Sequence, residues 1–276
     1  MAVRIVTDST SSIPADIAQA LDITVVPLTV FFGDEALLDG VDISSDAFFE
    51  RLVASPVLPR TSQPSVAQFA EVYAKHAADG HEIVSIHISD KLSGTLNSAR
   101  AAAGDTGTRV EIIDTEGASF WVALVAMAAA RAAHEGKSAD EVAAVARKAV
   151  GQMRVYFVVD TLEYLQKGGR IGKAQALLGG LLSIKPLLRV HEGEVHPYGK
   201  VRTRPKALQR LHELVREGGP YQEIAVLHGT SPEDAAALAT DLGDLTPSPV
   251  LVASVGAVIG VYTGPGVIGV ATRRAD

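Results

Sequence analysis

The chain of 276 residues contains no cysteine, which excludes disulfide bonds, thiolate metal ligands and a thiol nucleophile. Aromatic residues make up only 5% of it while 47% of its residues are hydrophobic, so mainly valine, isoleucine, leucine and alanine fill its cores. At this length those cores suffice for one large domain or two ordinary ones. Basic residues are in the minority, and the net charge of −7 argues against a general nucleic-acid-binding protein.

We also predict no secretory signal, because the first residues, MAVRIVTDST, show no basic segment followed by an apolar one. Residues 250–272 carry no charge and are long enough to cross a bilayer. Five glycines and one proline interrupt that stretch, and TGPG near its centre favours a turn. We therefore predict two buried strands around a turn and no integral membrane segment. The absence of cysteine suits a cytoplasmic protein.

Strand and helix patterns alternate over the first 150 residues, which predicts a parallel sheet covered by helices on both faces. Capping boxes that begin at Ser65 and Ser138 mark two of the helix starts. The pattern then changes, and a hairpin is predicted at Glu192. The predicted fold is therefore α/β with two domains: a three-layer α/β/α domain with a parallel sheet over 1–154, and an α/β domain with a mixed sheet over 155–276.

Small hydroxyl-bearing residues follow the predicted strands, at the edge where open α/β sheets bind ligands. Asp8-Ser9-Thr10 and Ser93-Gly94-Thr95 each follow a predicted strand, and a third cluster, Thr61-Ser62, lies just before a predicted helix start. Helix capping explains each cluster taken alone, but three of them together favour a binding site. Phosphate-loop fingerprints are absent. Two hydroxyls and a backbone N–H at a helix start suit a carboxylate without requiring a formal cation.

A catalytic role for Ser93 is the alternative, in a self-sufficient phosphotransferase or hydrolase. Against it, the chain lacks the G-x-S-x-G nucleophile elbow, and no histidine is near enough in the sequence to nominate as a base. His87 lies in an apolar strand and is interpreted as a half-buried, hydrogen-bonded residue. The eight histidines show no metal-ligand spacing, so neither a metal nor another cofactor is predicted.

Basic residues are concentrated in one segment, residues 161–206, which holds nine lysines and arginines but only three acids. Nine minus three leaves +6 there, so the rest of a chain whose total is −7 carries −13. A solvated face explains this basic segment, and so does a docking surface for an acidic or phosphate-bearing partner. A DNA-binding regulator is disfavoured because the remainder is acidic and lacks a helix-turn-helix pattern.

Eight motifs occur in order between residues 4 and 270: IVTDSTSSIP, VVPLTVFF, DGVDIS, RTSQPSVAQF, SDKLSGTLNSA, TLEYLQKGGRIGK, KVRTRPKAL and GAVIGVYTGPGVIGV. Together they closely resemble the DegV family of bacterial fatty-acid-binding proteins. The resemblance implies a long-chain fatty acid, such as palmitate, buried between the two domains. It also implies that Thr61 and Ser93, with Gly94 beside the latter, hold the carboxylate.

The resemblance further implies a role in phospholipid metabolism, as the binding subunit of a two-component fatty-acid kinase. A separate ATP-binding kinase subunit would phosphorylate the acid, so this chain would itself be no enzyme. Arg170 and Arg202 match functional arginines of the family and lie in the basic segment, which strengthens the docking interpretation.

One position departs from the family pattern. Tyr262 stands near the ligand's polar end, where the family commonly has histidine. A tyrosine can donate a hydrogen bond to a carboxylate but carries no positive charge near neutral pH. The resemblance therefore supports fatty-acid binding more directly than the kinase step. For the acyl tail, residues 174–188 are apolar and are predicted to line the channel, to pack as core, or both.

Overall fold

The computed structural model of the chain describes residues 2–178 and 184–275. In chain order the strands are β1 (Val3–Asp8), β2 (Ile23–Val26), β3 (Thr29–Phe32), β4 (Glu35–Leu38), β5 (Arg60–Ser62), β6 (Glu82–His87), β7 (Val110–Asp114), β8 (Met153–Val158), β9 (Lys185–His191), β10 (Glu194–Val201), β11 (Tyr221–His228), β12 (Leu251–Ser254) and β13 (Ile268–Arg274). The helices are α1 (Ala15–Ala20), α2 (Ser45–Ala54), α3 (Val66–Ala78), α4 (Thr95–Ala102), α5 (Phe120–His134), α6 (Ala139–Gln152), α7 (Glu163–Lys167), α8 (Arg204–Gly218), α9 (Pro232–Asp241) and α10 (Ala257–Thr263).

The first sheet is parallel, with the strand order β2-β1-β6-β7, as the alternating pattern predicts. Successive side chains of a strand point to opposite faces. Ile5 and Val84 accordingly pack in one core with α5 and α6, whereas their neighbours Val6 and Ile83 pack in another with α3 and α4. The predicted three-layer α/β/α arrangement is therefore confirmed.

The second sheet is mixed, with the order β10-β9-β8-β13-β11-β12, and only β11 and β12 pair in parallel within it. The predicted hairpin at Glu192 is the β9–β10 connection. One face of this sheet packs against α8 and α9 through residues such as Val158 and Val226. The opposite face carries Phe157 and Leu227 and belongs to the core that contains α5.

Helix α5 is apolar around its whole circumference, as expected of a helix buried on every side. It contacts β1, β2 and β6 of the parallel sheet as well as β8, β11 and β13 of the mixed sheet. The two sheets therefore share one large core. The domain boundary expected between residues 154 and 155 stays a prediction.

A third, antiparallel sheet with the order β4-β3-β5 was not predicted. Residues 23–32 look like one strand in the sequence, but β2 joins the parallel sheet and β3 the small one. The chain divides at Pro27, which has no N–H to donate to a ladder, and Leu28 donates its N–H to Ser9 Oγ at 3.0 Å instead. Thr61 lies on β5 rather than immediately before a helix.

The prediction of two strands around a turn at residues 250–272 is incomplete, because helix α10 lies between β12 and β13. Its stability comes from residues distant in the sequence, since Asp39 Oδ1 accepts the N–H of Ala257 at 2.9 Å. Ser12 also contacts the residue before α10, since its Oγ accepts the N–H of Gly256 at 3.0 Å. None of the described helices combines the length and apolarity needed to span a bilayer.

Candidate functional site

A cavity of about 250 Å³ lies between the carboxyl-terminal edge of the parallel sheet and the face of the mixed sheet opposite α8 and α9. One buried water needs about 10–15 Å³, so the cavity has room for a chain of atoms. Most of its wall is apolar, with contributions from Leu28, Ile88, Val155, Phe157, Val190, Val195, Leu227, Val258 and Ile259. A polar cluster interrupts this wall: Thr61, Gln63, Ser93, Arg170 and Tyr262.

Two hydroxyls of the polar cluster are hydrogen-bonded to each other. Thr61 Oγ1 on β5 and the Tyr262 hydroxyl in the last turn of α10 lie 2.6 Å apart, although 201 positions separate them in the sequence. The hydrogen bond between the two hydroxyls uses only one of their two protons. The other proton is therefore available for an acceptor atom of a ligand.

The KGGR motif places a guanidinium group beside this pair. A Cβ on Gly168 would overlap the ring of Tyr262, so only glycine allows the ring to lie against the backbone there. Gly169 then turns the chain with a φ of +71°, where glycine is favoured. The Arg170 guanidinium lies 5.0 Å from the centre of the Tyr262 ring, and its Nε donates to the carbonyl of Leu92 at 3.1 Å.

Ser93 belongs to the turn that begins α4. Its Oγ accepts the N–H of Thr95 at 3.3 Å and lies 2.9 Å from Thr95 Oγ1, so the helix starts one residue after Gly94. The side chain of Gln63 occupies the space that a Cβ on Gly94 would need, and its Nε2 donates to Ser98 Oγ at 3.1 Å. Gln63 therefore anchors the segment after β5 on α4 and brings Thr61 to the same cavity as Ser93.

The structure brings four of the six predicted site residues to one cavity: Thr61, Ser93, Arg170 and Tyr262. Gly94 is adjacent, as the contact point for Gln63. Arg202 is exposed after β10 and is not among the cavity-lining residues. Gln63 was missed in the sequence because an exposed glutamine after a strand carries no local signal.

The apolar stretch 174–188 contributes nothing to the cavity wall within its described parts, 174–178 and 184–188. Ala174 and Leu188 are buried in the core around α5, and Leu187 in the core under α8. The interpretation as ordinary core therefore applies to these residues. Residues 179–183 lie outside the described part of the chain.

Internal ion pairs engage part of the basic segment. Lys185 Nζ lies 2.6 Å from Asp160 Oδ1, and Arg204 donates to Asp234 Oδ2 at 3.3 Å and to the carbonyl of Gly266 at 2.7 Å. Six other cations of the segment form no ion pair with the described residues. The guanidinium groups of Arg170 and Arg189 lie over the rings of Tyr262 and Tyr198. The other four are exposed and available to an external anion: Lys173, Lys200, Arg202 and Lys206.

A buried chain of hydrogen bonds lies beneath the cavity. Asp8 Oδ2 lies 2.9 Å from His87 Nδ1, His87 Nε2 lies 2.7 Å from Ser85 Oγ, and Ser85 Oγ lies 2.8 Å from the Tyr73 hydroxyl. The order serine–histidine–aspartate matches that of a hydrolase triad, but Ser85 is 0% exposed and cannot meet a substrate. Asp8 also bonds Thr10, which lines the cavity. His87 is fully buried and not half-buried as predicted.

Helix α10, which carries Tyr262, is held at its start by the side chain of Asp39, 218 residues earlier in the chain. Asp39 is 5% exposed and accepts the N–H groups of Ala257 at 2.9 Å and Val258 at 3.4 Å. Burial raises the pKa of Asp39 to about 6, against the effect of these hydrogen bonds and of Ser9. The position of Tyr262 in the cavity thus depends on a distant carboxyl group.

The similarity to known proteins extends over almost the whole chain. The DegV family model, described as "Uncharacterised protein, DegV family", matches residues 2–274. A DegV domain-containing protein of Streptomyces coelicolor is 44% identical over 274 residues, 97% of each chain. The solved structure of a fatty-acid-binding DegV family protein from Thermus thermophilus has a TM-score of 0.91 at 37% identity, covering 99% of each chain. A stearic acid-binding protein from Eubacterium ventriosum has a TM-score of 0.89 at 28% identity, covering 98% of each chain.

Proposed function

Because the chain belongs to the DegV family, we propose that it binds one long-chain fatty acid, such as palmitate, in the cavity between the parallel and mixed sheets. Thr61, Ser93 and Tyr262 hydrogen-bond the carboxylate, and the tail lies along the apolar wall. The observation that carries this proposal is the Thr61–Tyr262 hydroxyl pair in an otherwise largely apolar cavity. Fatty acids are also the ligands named for the Thermus thermophilus and Eubacterium ventriosum structures.

The polar cluster suits a carboxylate because it combines donors with one cation. Hydrogen bonds to an ionised acceptor are about twice as strong as those between neutral groups. Arg170 adds positive charge beside Tyr262 while keeping its guanidinium exposed. The carboxylate is therefore held near the surface, and the tail extends into the interior.

The apolar wall supplies the affinity. Burying a 16-carbon tail gains about 0.8 kcal/mol per methylene, or about 12 kcal/mol in total. Lost translational and rotational freedom offsets at least several kcal/mol of this gain. The remainder is enough for the acid to stay bound through purification.

The protein acts in the cytoplasm as a carrier in fatty-acid metabolism, and presents the carboxylate to a separate ATP-binding kinase subunit. Support comes from the exposed guanidinium of Arg170 at the polar cluster and from the exposed cations of the basic segment that form no ion pair with the described residues. The chain itself is no enzyme in this proposal. Hydrolysis at Ser93 lacks support, because among the described side chains only Thr95 hydrogen-bonds Ser93 Oγ, and Thr95 is no general base.

Mass spectrometry of small molecules released from freshly purified, denatured protein tests the proposal. We expect a fatty acid of 14–18 carbons at close to one per chain. Protein that is empty, and that stays empty after incubation with such acids, would leave Ser93 as part of a helix start and would remove the basis for a carrier role.

A further inference from the structure

One residue in the cavity wall has no side chain. Gly269 lies on β13 between two neighbouring strands, opposite Phe157 of β8 and opposite Leu227 of β11. Residues paired across antiparallel strands place their side chains on the same face. All three residues line the cavity, so the wall has a gap one side chain wide between two large apolar groups.

Backbone conformation does not require glycine at this position, since Gly269 is not among the residues with positive φ. Glycine within a strand weakens the sheet and often marks a place where another group approaches closely. Two groups qualify here. Phe157 is one, because a Cβ on Gly269 would lie 3.2 Å from Phe157 Cβ. The occupant of the cavity is the other.

The rest of the strand supports a role for the occupant. Val267, immediately before β13, and Gly269 both line the cavity, and the next residue on the same face of the strand, Ala271, is also small. Ala271 pairs with Val155, which also lines the cavity. The small part of this face therefore continues along β13 from Gly269 to Ala271.

We propose that Gly269 determines how long an acyl chain the cavity accepts, because the tail of the bound acid crosses the mixed sheet over this residue, between Phe157 and Leu227. The inference rests on the proposed fatty-acid function and deepens it. Acids that end before the gap do not meet residue 269. Longer acids fill the gap, and a side chain there blocks them.

A chain-length series distinguishes this role from ordinary packing. Saturated acids of 8 to 18 carbons are titrated against the wild type, Gly269→Ala and Gly269→Val. In the wild type each added methylene should tighten binding about fourfold. In the variants we expect the same increase for short acids and then a break, after which further methylenes no longer tighten binding. The break marks the length at which the tail reaches residue 269.

Gly199→Ala is the matched control, because it adds a methyl to the same sheet on β10, at an ordinary 3.8 Å from Leu187 and outside the cavity wall. It should follow the wild type at every length. If Gly269→Val does not fold, Leu227→Phe adds bulk beside the gap without changing Gly269. Leu227→Phe should also show an acid length beyond which further methylenes no longer tighten binding.

Strain against Phe157 alone predicts a different result. It would lower the melting temperature and weaken all acids by one common factor, giving a line parallel to the wild type. Parallel lines for the Gly269 and Leu227 variants, while the wild type binds with a normal chain-length dependence, would overturn this inference and leave the proposed function intact. A wild type that binds no acid of any length would overturn both.

Discussion

Removing one oxygen atom from the polar cluster tests whether it holds a carboxylate. In Tyr262→Phe the ring remains, so its packing against Gly168 and its stacking with Arg170 at 5.0 Å are preserved. The hydroxyl that lies 2.6 Å from Thr61 Oγ1 is lost. The variant therefore isolates one hydrogen bond from the surrounding packing.

The size of the effect follows from the character of that hydrogen bond. A hydrogen bond to a charged group contributes about 1.5–3 kcal/mol, which corresponds to about 10- to 150-fold in Kd. Tyr262 is only half-buried, so solvent partly replaces the lost donor. We therefore expect palmitate to bind Tyr262→Phe about 10-fold more weakly than the wild type.

Isothermal titration with palmitate above pH 7, where the acid is ionised, measures this change. Tyr198→Phe is the control, because Tyr198 is exposed on β10 and packs against Tyr156 away from the cavity. Thr61→Val combined with Tyr262→Phe should weaken binding by less than the sum of the two single effects, since the two hydroxyls are partners. A Tyr262→Phe affinity within twofold of the wild type would refute the assignment of the carboxylate to this pair.

Three further predictions concern other residues. Ser93→Ala should leave the fold intact and weaken palmitate binding by about 1–3 kcal/mol, and undiminished affinity would remove Ser93 from the site. The pKa of Asp39 is raised from 3.8 to about 6 by burial, so its protonated form stabilises the fold at low pH and this contribution is lost as the pH rises through 6. In denaturant titrations the wild type should therefore lose about 3 kcal/mol relative to Asp39→Asn between pH 4 and 7, whereas a constant difference would contradict the buried state of this carboxyl. Arg202→Ala should leave palmitate affinity unchanged and weaken binding to an ATP-binding fatty-acid kinase subunit in a pull-down; a change in lipid affinity alone would assign Arg202 to the ligand site.

Local patterns predicted much of the fold. The capping boxes at Ser65 and Ser138 form as expected, with both reciprocal hydrogen bonds in place. The parallel sheet and the β9–β10 hairpin follow from alternating periodicities that each depend on a few neighbouring residues. The sequence did not predict that β3 separates from β2 to join the small sheet, or that α10 forms, because pairing with β5 and the contact with Asp39 depend on residues far away in the chain.

For the candidate site, the sequence likewise shows some of the residue types but not how they are arranged. The sequence shows the hydroxyl residues that follow β6 and those that precede α3, and TGPG indicates a turn. Their mutual placement is not visible. Ser93 hydrogen-bonds Thr95 two residues away, but Thr61 meets Tyr262 across 201 positions.

The sequence by itself determined the family, the classes of the two main sheets and the residue types that a carboxylate site needs, because periodicity, capping and motifs act over short distances along the chain. Only the tertiary structure decided which of those residues share a cavity, that α10 forms, and that Gly269 leaves a gap in the cavity wall. These features depend on contacts between segments that are brought together by burial of the common core around α5. Local sequence patterns do not encode such contacts. Helix capping and strand periodicity depend on neighbouring residues only, so they are the same whichever distant segment a helix or strand packs against.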